Sequence, residues 1–313
     1  MKIKYIVTSA MIALTMINPL TAAEPYRVGY NNWVGFIAFF TAQENGAFKK
    51  AGLNVVGKSF AAPGEGLVPL LSGDLDAHLT TLDSVILKAA NAPGKISIVT
   101  LLDTSAGADA LVAKKSITQL SELKGARIAV TVGECNDVLL GKALKKAGLA
   151  RTDVKIANLD PDAAGAALKA GSVDAAVTWE PWISQLAGES GANVIFSSKD
   201  TPNLILDCLA TPADDKRAEE TKKFIAVLDE TTKSIKADPE AAAKLISKAL
   251  EVPAADIVDM LTKLNLYDSS QAKAQMIETV PAISEELVAF FREQGIISAP
   301  VDISKILKLD HLP

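Results

Sequence analysis

The residues best suited to bind a solute in this chain of 313 residues are acidic, amide and tryptophan side chains that follow predicted β-strands. Carboxylates accept hydrogen bonds from amines, and aromatic rings often form the walls of small-molecule pockets. Ligands of open α/β sheets lie beyond the carboxyl ends of the strands, so we expect these residues to face one crevice. The candidate ligand-binding residues are Asn32, Trp33, Thr81, Asp83, Asp109, Glu134, Asn136, Trp179, Glu180 and Asp207.

Tryptophan is informative because the chain has only three. We interpret Trp33, in the loop after the first predicted strand, as an aromatic wall; the alternative is a plug between that loop and the next helix. Of Trp179 and Trp182 we expect at most one, Trp179, to reach a ligand, because entry into the helix turns the other towards the core. Glu180 between them either accepts from a ligand amine or caps the helix that Pro181 begins.

The remaining candidates also have structural alternatives. Thr81 offers a hydroxyl, and Asp83 either contacts the ligand or caps a helix. Asp109 either contacts the ligand or braces a hinge. The free N–H groups of the helix that begins near Asn136 suit an anionic group, whereas the neighbouring Glu134 suits a cationic one.

Arginine is missing from all of these predicted loops, since the five arginines are Arg27, Arg127, Arg151, Arg217 and Arg292. Arginine is the usual planar clamp for sulfonate, carboxylate and nitrate groups. The loops offer carboxylates instead, and one further carboxylate, Asp207, lies on an apolar strand where it needs a partner from the protein or the ligand. This balance favours an amine, an amine-bearing ring or a zwitterion over a simple oxyanion.

An internal repeat organises these loops. Residues 49–53 and 145–149 share the sequence KKAGL, and residues 72–81 (SGDLDAHLTT) align with 170–179 (AGSVDAAVTW). The two matches are separated by 96 and 98 positions, so few insertions distinguish the copies. We therefore predict two similar α/β lobes whose facing edges form a cleft.

Strands and helices alternate at short spacing, which predicts mostly parallel sheets with helices on both faces. The expected fold class is α/β, with two doubly wound lobes joined by a two-segment hinge. We expect residues 24–112 and 206–313 to form the first lobe and 113–205 the second. The chain then crosses near 111–115 and 206–210, and everything after 210 is predicted to be helical and to pack on the first lobe.

Residues 1–23 have the pattern of a signal peptide. Lys2 and Lys4 precede an apolar run over residues 5–17, and small residues allow cleavage near Ala23. The run is too short to cross a bilayer, so we expect a periplasmic protein without membrane insertion. In that oxidising compartment Cys135 and Cys208 permit one disulfide, but we favour two separate small buried residues.

The composition argues against several other classes of protein. The net charge of −5 and the lack of clustered lysines and arginines give no electrostatic footprint for nucleic acid. Only two histidines are present, and no His/Cys cluster, Gly-x-Ser-x-Gly elbow or glycine-rich phosphate loop occurs. We therefore expect no metal, no cofactor and no catalytic residues.

Several motifs together resemble the nitrate, taurine, sulfonate and thiamine-precursor substrate-binding proteins of ABC importers, the NMT1-like group. The motifs are WVG at 33–35, ENGAFKKAGL at 44–53, GADALVA at 107–113, LKG at 123–125, AGSVDA at 170–175 and WEPW at 179–182. The resemblance implies a type II periplasmic binding protein, a monomer that closes on one small molecule and delivers it to a membrane ABC permease with its ATPase. The alternatives are an enzyme of the same fold related to thiamine-pyrimidine synthases, which the scarcity of histidine opposes, and a sensor or adaptor binding module.

Overall fold

The computed structural model of the chain describes residues 24–312 and contains two β-sheets packed against helices. The predicted signal peptide, residues 1–23, lies outside the described residues. The strands are β1 (Tyr26–Tyr30), β2 (Val55–Ser59), β3 (Ala77–Thr81), β4 (Ile96–Ser105), β5 (Asp109–Ala113), β6 (Arg127–Val130), β7 (Lys155–Asn158), β8 (Ala175–Trp179), β9 (Asn193–Ser197), β10 (Leu206–Pro212) and β11 (Leu264–Leu266). The α-helices are α1 (Ile37–Glu44), α2 (Ala47–Lys50), α3 (Leu67–Ser72), α4 (Leu82–Asn91), α5 (Cys135–Ala147), α6 (Pro161–Lys169), α7 (Trp182–Glu189), α8 (Ala218–Ala237), α9 (Pro239–Leu250), α10 (Ala254–Leu261), α11 (Ser269–Glu278) and α12 (Val280–Glu293).

The two sheets share one strand order. The first runs β2-β1-β3-β10-β4-β11 and the second β7-β6-β8-β5-β9. In each sheet, three parallel strands are followed by one antiparallel strand, which is β10 in the first sheet and β5 in the second. The chain enters this strand directly from the other sheet. The next strand, β4 or β9, belongs to the same lobe as the three parallel strands. This arrangement confirms the expected α/β fold with two similar lobes.

The internal repeat extends to individual hydrogen bonds. The backbone N–H of Arg27 donates to Asp76 Oδ2 at 2.7 Å, and the N–H of Arg127 donates to Asp174 Oδ2 at 2.8 Å. In both lobes this contact ties the start of the central strand to the turn before the third strand. The two aspartates occupy equivalent positions of the repeat, so the sequence match reflects a shared structural contact.

A second repeated contact lies near the rim of the cleft. The hydroxyl of Thr80 on β3 donates to the carbonyl of Pro63 at 2.8 Å, and that of Thr178 on β8 donates to the carbonyl of Pro161 at 2.7 Å. Each bond holds the loop after the second strand of its lobe against the third strand. The rims of both lobes are therefore built by the same local contact.

The chain passes between the sheets at residues 106–108 and 198–205. We expected the first crossing at 111–115 and the lobe boundary at 112. The structure places both earlier in the chain, because β5 is hydrogen-bonded on both sides by strands of the second sheet. Residues 206–210, expected at the second crossing, belong to β10 of the first sheet. We accordingly propose lobes of 24–105 with 206–312, and of 109–197.

One buried hydroxyl ties the two crossings together. Ser198 Oγ accepts from the backbone N–H of Gly107 at 2.6 Å and lies 2.8 Å from the hydroxyl of Ser105. Gly107 has a φ of 126°, which side-chain-bearing residues rarely adopt. The crossings therefore form one compact junction between the lobes.

The C-terminal helices pack on the first lobe as expected. Phe224 of α8 stacks on Phe48 of α2 with ring centroids 4.9 Å apart. The region is not purely helical, because β11 adds an edge strand beside β4. Gly46, which has a φ of 71°, separates α1 from α2. No helix within residues 24–312 has the length and apolar character needed to cross a bilayer.

The two repeated aspartates predict unequal losses of stability. Asp76 is 8% exposed and accepts three hydrogen bonds from Arg27, whereas Asp174 is 32% exposed. Because hydrogen bonds to buried charged groups contribute more than exposed ones, Asp76→Ala should lower the free energy of unfolding by about 2–3 kcal/mol and Asp174→Ala by about 1 kcal/mol. Urea unfolding followed by circular dichroism measures both. Equal losses would contradict the proposed role of burial.

Candidate functional site

Three polar side chains lie side by side on neighbouring strands of the first sheet. Asp207 of β10 is paired in register with Asp103 of β4 on one side and with Thr81 of β3 on the other. Directly paired residues of adjacent strands project to the same face of a sheet. The carboxyl groups of Asp103 and Asp207 and the hydroxyl of Thr81 therefore form a polar row at the end of the sheet nearest the crossings.

Asp103 and Asp207 form a hydrogen-bonded carboxyl pair. Burial raises the pKa of Asp103 to about 7, and burial together with the charge of Asp103 raises the pKa of Asp207 well above its usual range. A hydrogen bond between two carboxyl groups requires one of them to carry a proton. Trp33 Nε1 donates to Asp103 Oδ1 at 3.3 Å, so the loop after β1 reaches the same pair.

Three further acidic groups adjoin this pair. Burial raises the pKa of Asp83 to about 6, that of Asp109 to about 7 and that of Glu134 to about 8. The neighbouring charges of Asp103 and Asp83 also raise the pKa of Asp109, and the charge of Asp83 also raises the pKa of Glu134. The five carboxyl groups therefore form one buried acidic cluster that spans both lobes.

Each member of this cluster keeps one carboxyl oxygen without a hydrogen-bond partner among the described residues. These oxygens are Oδ2 of Asp83, Asp103, Asp109 and Asp207, and Oε2 of Glu134. Buried polar atoms are almost always paired, and an unpaired one costs about 1–3 kcal/mol. These five oxygens are therefore the polar atoms that the described residues leave for a ligand to satisfy.

Asn136 is the amide at the edge of the cluster. It is fully buried in the first turn of α5, and its Nδ2 has no partner among residues 24–312. Glu134, the residue before α5, accepts a hydrogen bond from the backbone N–H of Gly64 at 3.2 Å. A Cβ at Gly64 would come within 2.8 Å of Glu134 Oε1, so the glycine permits this approach between the lobes.

Two tryptophans, one from each lobe, meet beside the cluster. The rings of Trp33 and Trp179 have centroids 6.0 Å apart and are inclined by 46°. Both rings are almost completely buried, at 3% and 2% exposure. The Nε1 atoms of Trp179 and Trp182 both donate to Asp162 Oδ1, at 2.9 and 3.0 Å. One carboxylate therefore fixes the orientation of both indoles in the WEPW motif.

Glu180 is engaged by the protein itself. It accepts from the backbone N–H and hydroxyl of Ser184, at 3.1 and 2.9 Å, and from Lys263 Nζ at 2.6 Å. The bonds to Ser184 correspond to the capping alternative for this residue. Lys263 precedes β11 of the first lobe, so the pair is also a salt bridge between the lobes.

The other predicted site residues lie around the cluster. The hydroxyl of Thr81 is 2.9 Å from that of Ser84 at the start of α4. Asn32 is exposed and lies outside the buried acids, where it lines a cavity of about 470 Å³ with Trp182 and Met260. The structure thus brings Trp33, Asp83, Asp109, Glu134 and Asp207 together, and leaves Asn32 at the entrance. Their contacts with a ligand remain predictions.

Sequence reasoning did not identify Asp103, Asp162 or Lys263. Asp103 lies inside β4, which continues to Ser105, and not in a loop after the strand. A carboxylate within an apolar run was the available signal, the same one that identified Asp207. Lys263 and Asp162 carried no such signal because their partners lie 83 and 17 positions away in the chain.

Cys135 and Cys208 are free, buried thiols. Cys135 begins α5 in the second lobe, and Cys208 lies on β10 of the first. Burial raises the pKa of both thiols well above the usual range, and the acidic cluster acts in the same direction. The structure thus contains the two separate small buried residues that we favoured over a disulfide.

The acidic cluster predicts that the ligand-free protein loses stability as the pH rises. The pKa values of Asp103, Asp109 and Glu134 are about 7, 7 and 8 in the folded chain, against about 4 in an unfolded chain. The folded state therefore holds more protons than the unfolded state at neutral pH, so this stabilising contribution is lost as the pH rises through 7 to 8. The melting temperature should fall between pH 6.5 and 8.5, a range above the lowered pKa of His78.

The matched variant for this prediction is Asp109→Asn with Glu134→Gln, which removes two of the titrating groups. Its melting temperature should depend less steeply on pH than that of the wild type, with the greatest gain at pH 8.5. A melting temperature that rises with pH in the wild type, or the same slope in both proteins, would show that these acids are not protonated when buried.

Comparison with known proteins identifies the family of this chain. Residues 33–242 match the model of the NMT1/THI5-like family. A protein of Brucella abortus described as a binding protein is 30% identical over 257 residues, which is 79% of this chain and 78% of the relative. The taurine-binding periplasmic protein of Escherichia coli is 27% identical over 291 residues, 89% of this chain and 86% of the relative.

A solved structure shares the fold at low sequence identity. The crystal structure of the periplasmic aliphatic sulphonate binding protein of Escherichia coli aligns with a TM-score of 0.75 and 23% identity, over 90% of this chain and 97% of the other. This similarity supports the type II periplasmic binding protein fold that the strand order indicates. The family match over residues 33–242, which is more than half of the sequence, shows that the chain belongs to the NMT1/THI5-like family.

Proposed function

We propose that this protein is a periplasmic solute-binding protein that captures a small, amine-bearing organic molecule between its lobes and delivers it to an ABC permease. The observation that carries the proposal is the buried cluster of five carboxyl groups, each with an unpaired oxygen. An ammonium group supplies three N–H donors and a compensating charge. Such a group satisfies up to three of these oxygens and offsets the cost of ionising buried acids.

The basic residues of the described chain support the same choice of ligand. Arg27 pairs with Asp76, Arg151 with Asp137 and Arg217 with Glu220, all away from the cluster. Lys263 is engaged by Glu180 and Asp259. The groups that shift the pKa values of the five acids include other acids but no lysine or arginine. A simple oxyanion at this place would find no basic clamp among these residues.

The lobes suggest how capture takes place. Acids of the cluster come from both lobes, so a cation bound to all of them bridges the cleft and favours the closed arrangement. Trp33 and Trp179 close over one side of the cluster and exclude water. A dissociation constant near 1 µM corresponds to about −8 kcal/mol, which a few charge-assisted hydrogen bonds and aromatic contacts supply.

The proposal has three further parts. They are delivery to a permease, a periplasmic location, and action as a monomer without catalysis. They are supported by the family match, by a signal-peptide pattern in residues 1–23 and by the named relatives, which are binding proteins. The taurine-binding relative handles an amine-bearing sulfonate, as its name states. For this chain the buried acids favour recognition of the amine.

Titration calorimetry with three matched solutes tests the ligand class. We expect ethylamine and taurine to bind and ethanesulfonate, which lacks the amine, to show no binding at the same concentrations. Asp207→Asn should weaken amine binding at least tenfold, since a charge-assisted hydrogen bond contributes about 1.5–3 kcal/mol. The exposed Asp214→Asn is the matched control and should leave affinity unchanged.

Tight binding of ethanesulfonate by the wild type, with no effect of Asp207→Asn, would refute an amine-binding cleft. Chemical conversion of a bound amine during prolonged incubation would show that the protein is an enzyme rather than a carrier.

A further inference from the structure

One face of α5, in the second lobe, is turned towards the first lobe. The residues on it are Glu134, Val138, Gly141 and Lys142, at the spacing i, i+4, i+7 and i+8 that places residues on one side of a helix. We call these four residues the α5 stripe. Glu134, the residue before the helix, is a member of the acidic cluster. The stripe extends from the cluster along about 12 Å of helix, at a rise of about 1.5 Å per residue.

The middle of the α5 stripe is part of the core of the first lobe. Val138 is completely buried and belongs to a hydrophobic cluster whose other members include Val85 of α4 and Leu287 of α12. The next residues of the helix, Leu139 and Leu140, belong to the core of the second lobe instead. α5 therefore has two apolar faces, one for each lobe.

Gly141 allows α12 of the first lobe to approach the stripe closely. A Cβ at Gly141 would lie 2.4 Å from Cε2, 3.2 Å from Cζ and 3.3 Å from Cδ2 of Phe290. These three atoms form one edge of the ring, and the ring of Phe291 lies beside it with centroids 5.6 Å apart. Glycine inside a helix is less favourable than alanine, so the close approach of Phe290 is a physical reason for glycine at this position.

The last residue of the stripe adds an ion pair between the lobes. Lys142 Nζ donates to Glu286 Oε1 of α12. Both side chains are partly exposed, so salt screens the pair and its contribution is small. The contact between α5 and the first lobe therefore depends mainly on Val138 and on the packing of Phe290 over Gly141.

We propose that the α5 stripe is a closing contact, which holds the second lobe against the first and positions Glu134 in the acidic cluster. Phe290 is then a positioning residue that acts through α5, because Gly141 lies about two helical turns beyond Glu134. A ligand that needs closed lobes binds in proportion to the closed fraction, so the contact raises affinity without touching the ligand. The effect on affinity rests on the function proposed above, whereas the effect on the lobes does not.

Gly141→Ala tests the contact in the ligand-free protein. The added methyl group should push α5 away from α12 and open the lobes, so small-angle X-ray scattering should give a larger radius of gyration. Trp33 and Trp179, which meet across the lobes, should gain exposure to water, and the tryptophan emission should shift to longer wavelength. Gly188→Ala in α7 is the matched control and should change neither, because a Cβ there would meet no neighbouring element of the described chain within 4 Å.

Phe290→Leu distinguishes a closing contact from a local disturbance of α5. Leucine lacks the Cε2 and Cζ atoms that the new methyl group would approach, so Gly141→Ala combined with Phe290→Leu should recover the compact scattering and the wild-type emission. Titration calorimetry with ethylamine should show at least a fivefold loss of affinity for Gly141→Ala and less than a twofold loss for the double variant. Circular dichroism checks that each variant is folded at the temperature of measurement.

Lys142→Glu is a second variant, at the partly exposed end of the stripe. It replaces the ion pair with like charges, so it should increase the radius of gyration at low salt, and Glu286→Lys in the same chain should reverse the increase. Scattering and emission of Gly141→Ala equal to those of the wild type overturn the closing contact, and so does an opening that Phe290→Leu does not reverse. Absence of ethylamine binding by the wild type counts against the proposed function alone, since scattering and emission need no ligand.

Discussion

The structure depends on the burial of several carboxyl groups, without basic partners, where the two lobes meet. Removing a carboxylate from water is costly, and acids already close together make each further ionisation harder. Arginine and lysine side chains normally offset this cost, but here Arg27, Arg151 and Arg217 pair with acids outside the cluster. The raised pKa values of Asp103, Asp109 and Glu134 are the direct consequence. Perturbed pKa values of this kind concentrate at functional sites, which is why the proposed function is placed at this cluster.

The exchanged strands explain why the acids lie at this place. β5 and β10 each cross from one lobe and insert between the third and fourth strands of the other sheet. Asp109 is the first residue of β5 and Asp207 the second residue of β10. Both carboxyl groups therefore stand next to the junction that Ser198 holds together. In the proposed function, a ligand bound to them would act on the elements that connect the lobes, and this would link occupancy of the site to closure.

Much of this arrangement was predictable from the sequence because it follows from the repeat. The aligned segments before and within β3 and β8 predicted two similar lobes, and strand-end positions identified Asp83, Asp109 and Glu134. Asp207 was identified as a carboxylate within an apolar strand. Long-range contacts were not predictable in this way. The extra length of β4 concealed Asp103, the bond between Lys263 and Glu180 joins distant segments, and the crossing before β5 depends on pairing with β8 and β9. Local pattern locates strand ends, whereas partners across the cleft are decided by tertiary packing.

The central claim is that buried, partly protonated acids receive a cation, and proton release on binding tests it most directly. At pH 7 a cation favours the ionised form of Asp103, Asp109 and Glu134, so it lowers their pKa values and expels protons. Calorimetric titration of an amine in buffers of different ionisation enthalpy measures the number of protons transferred. This account predicts net release that decreases towards pH 9, where the acids are already ionised. Net proton uptake at pH 7, or binding without any transfer, would contradict it.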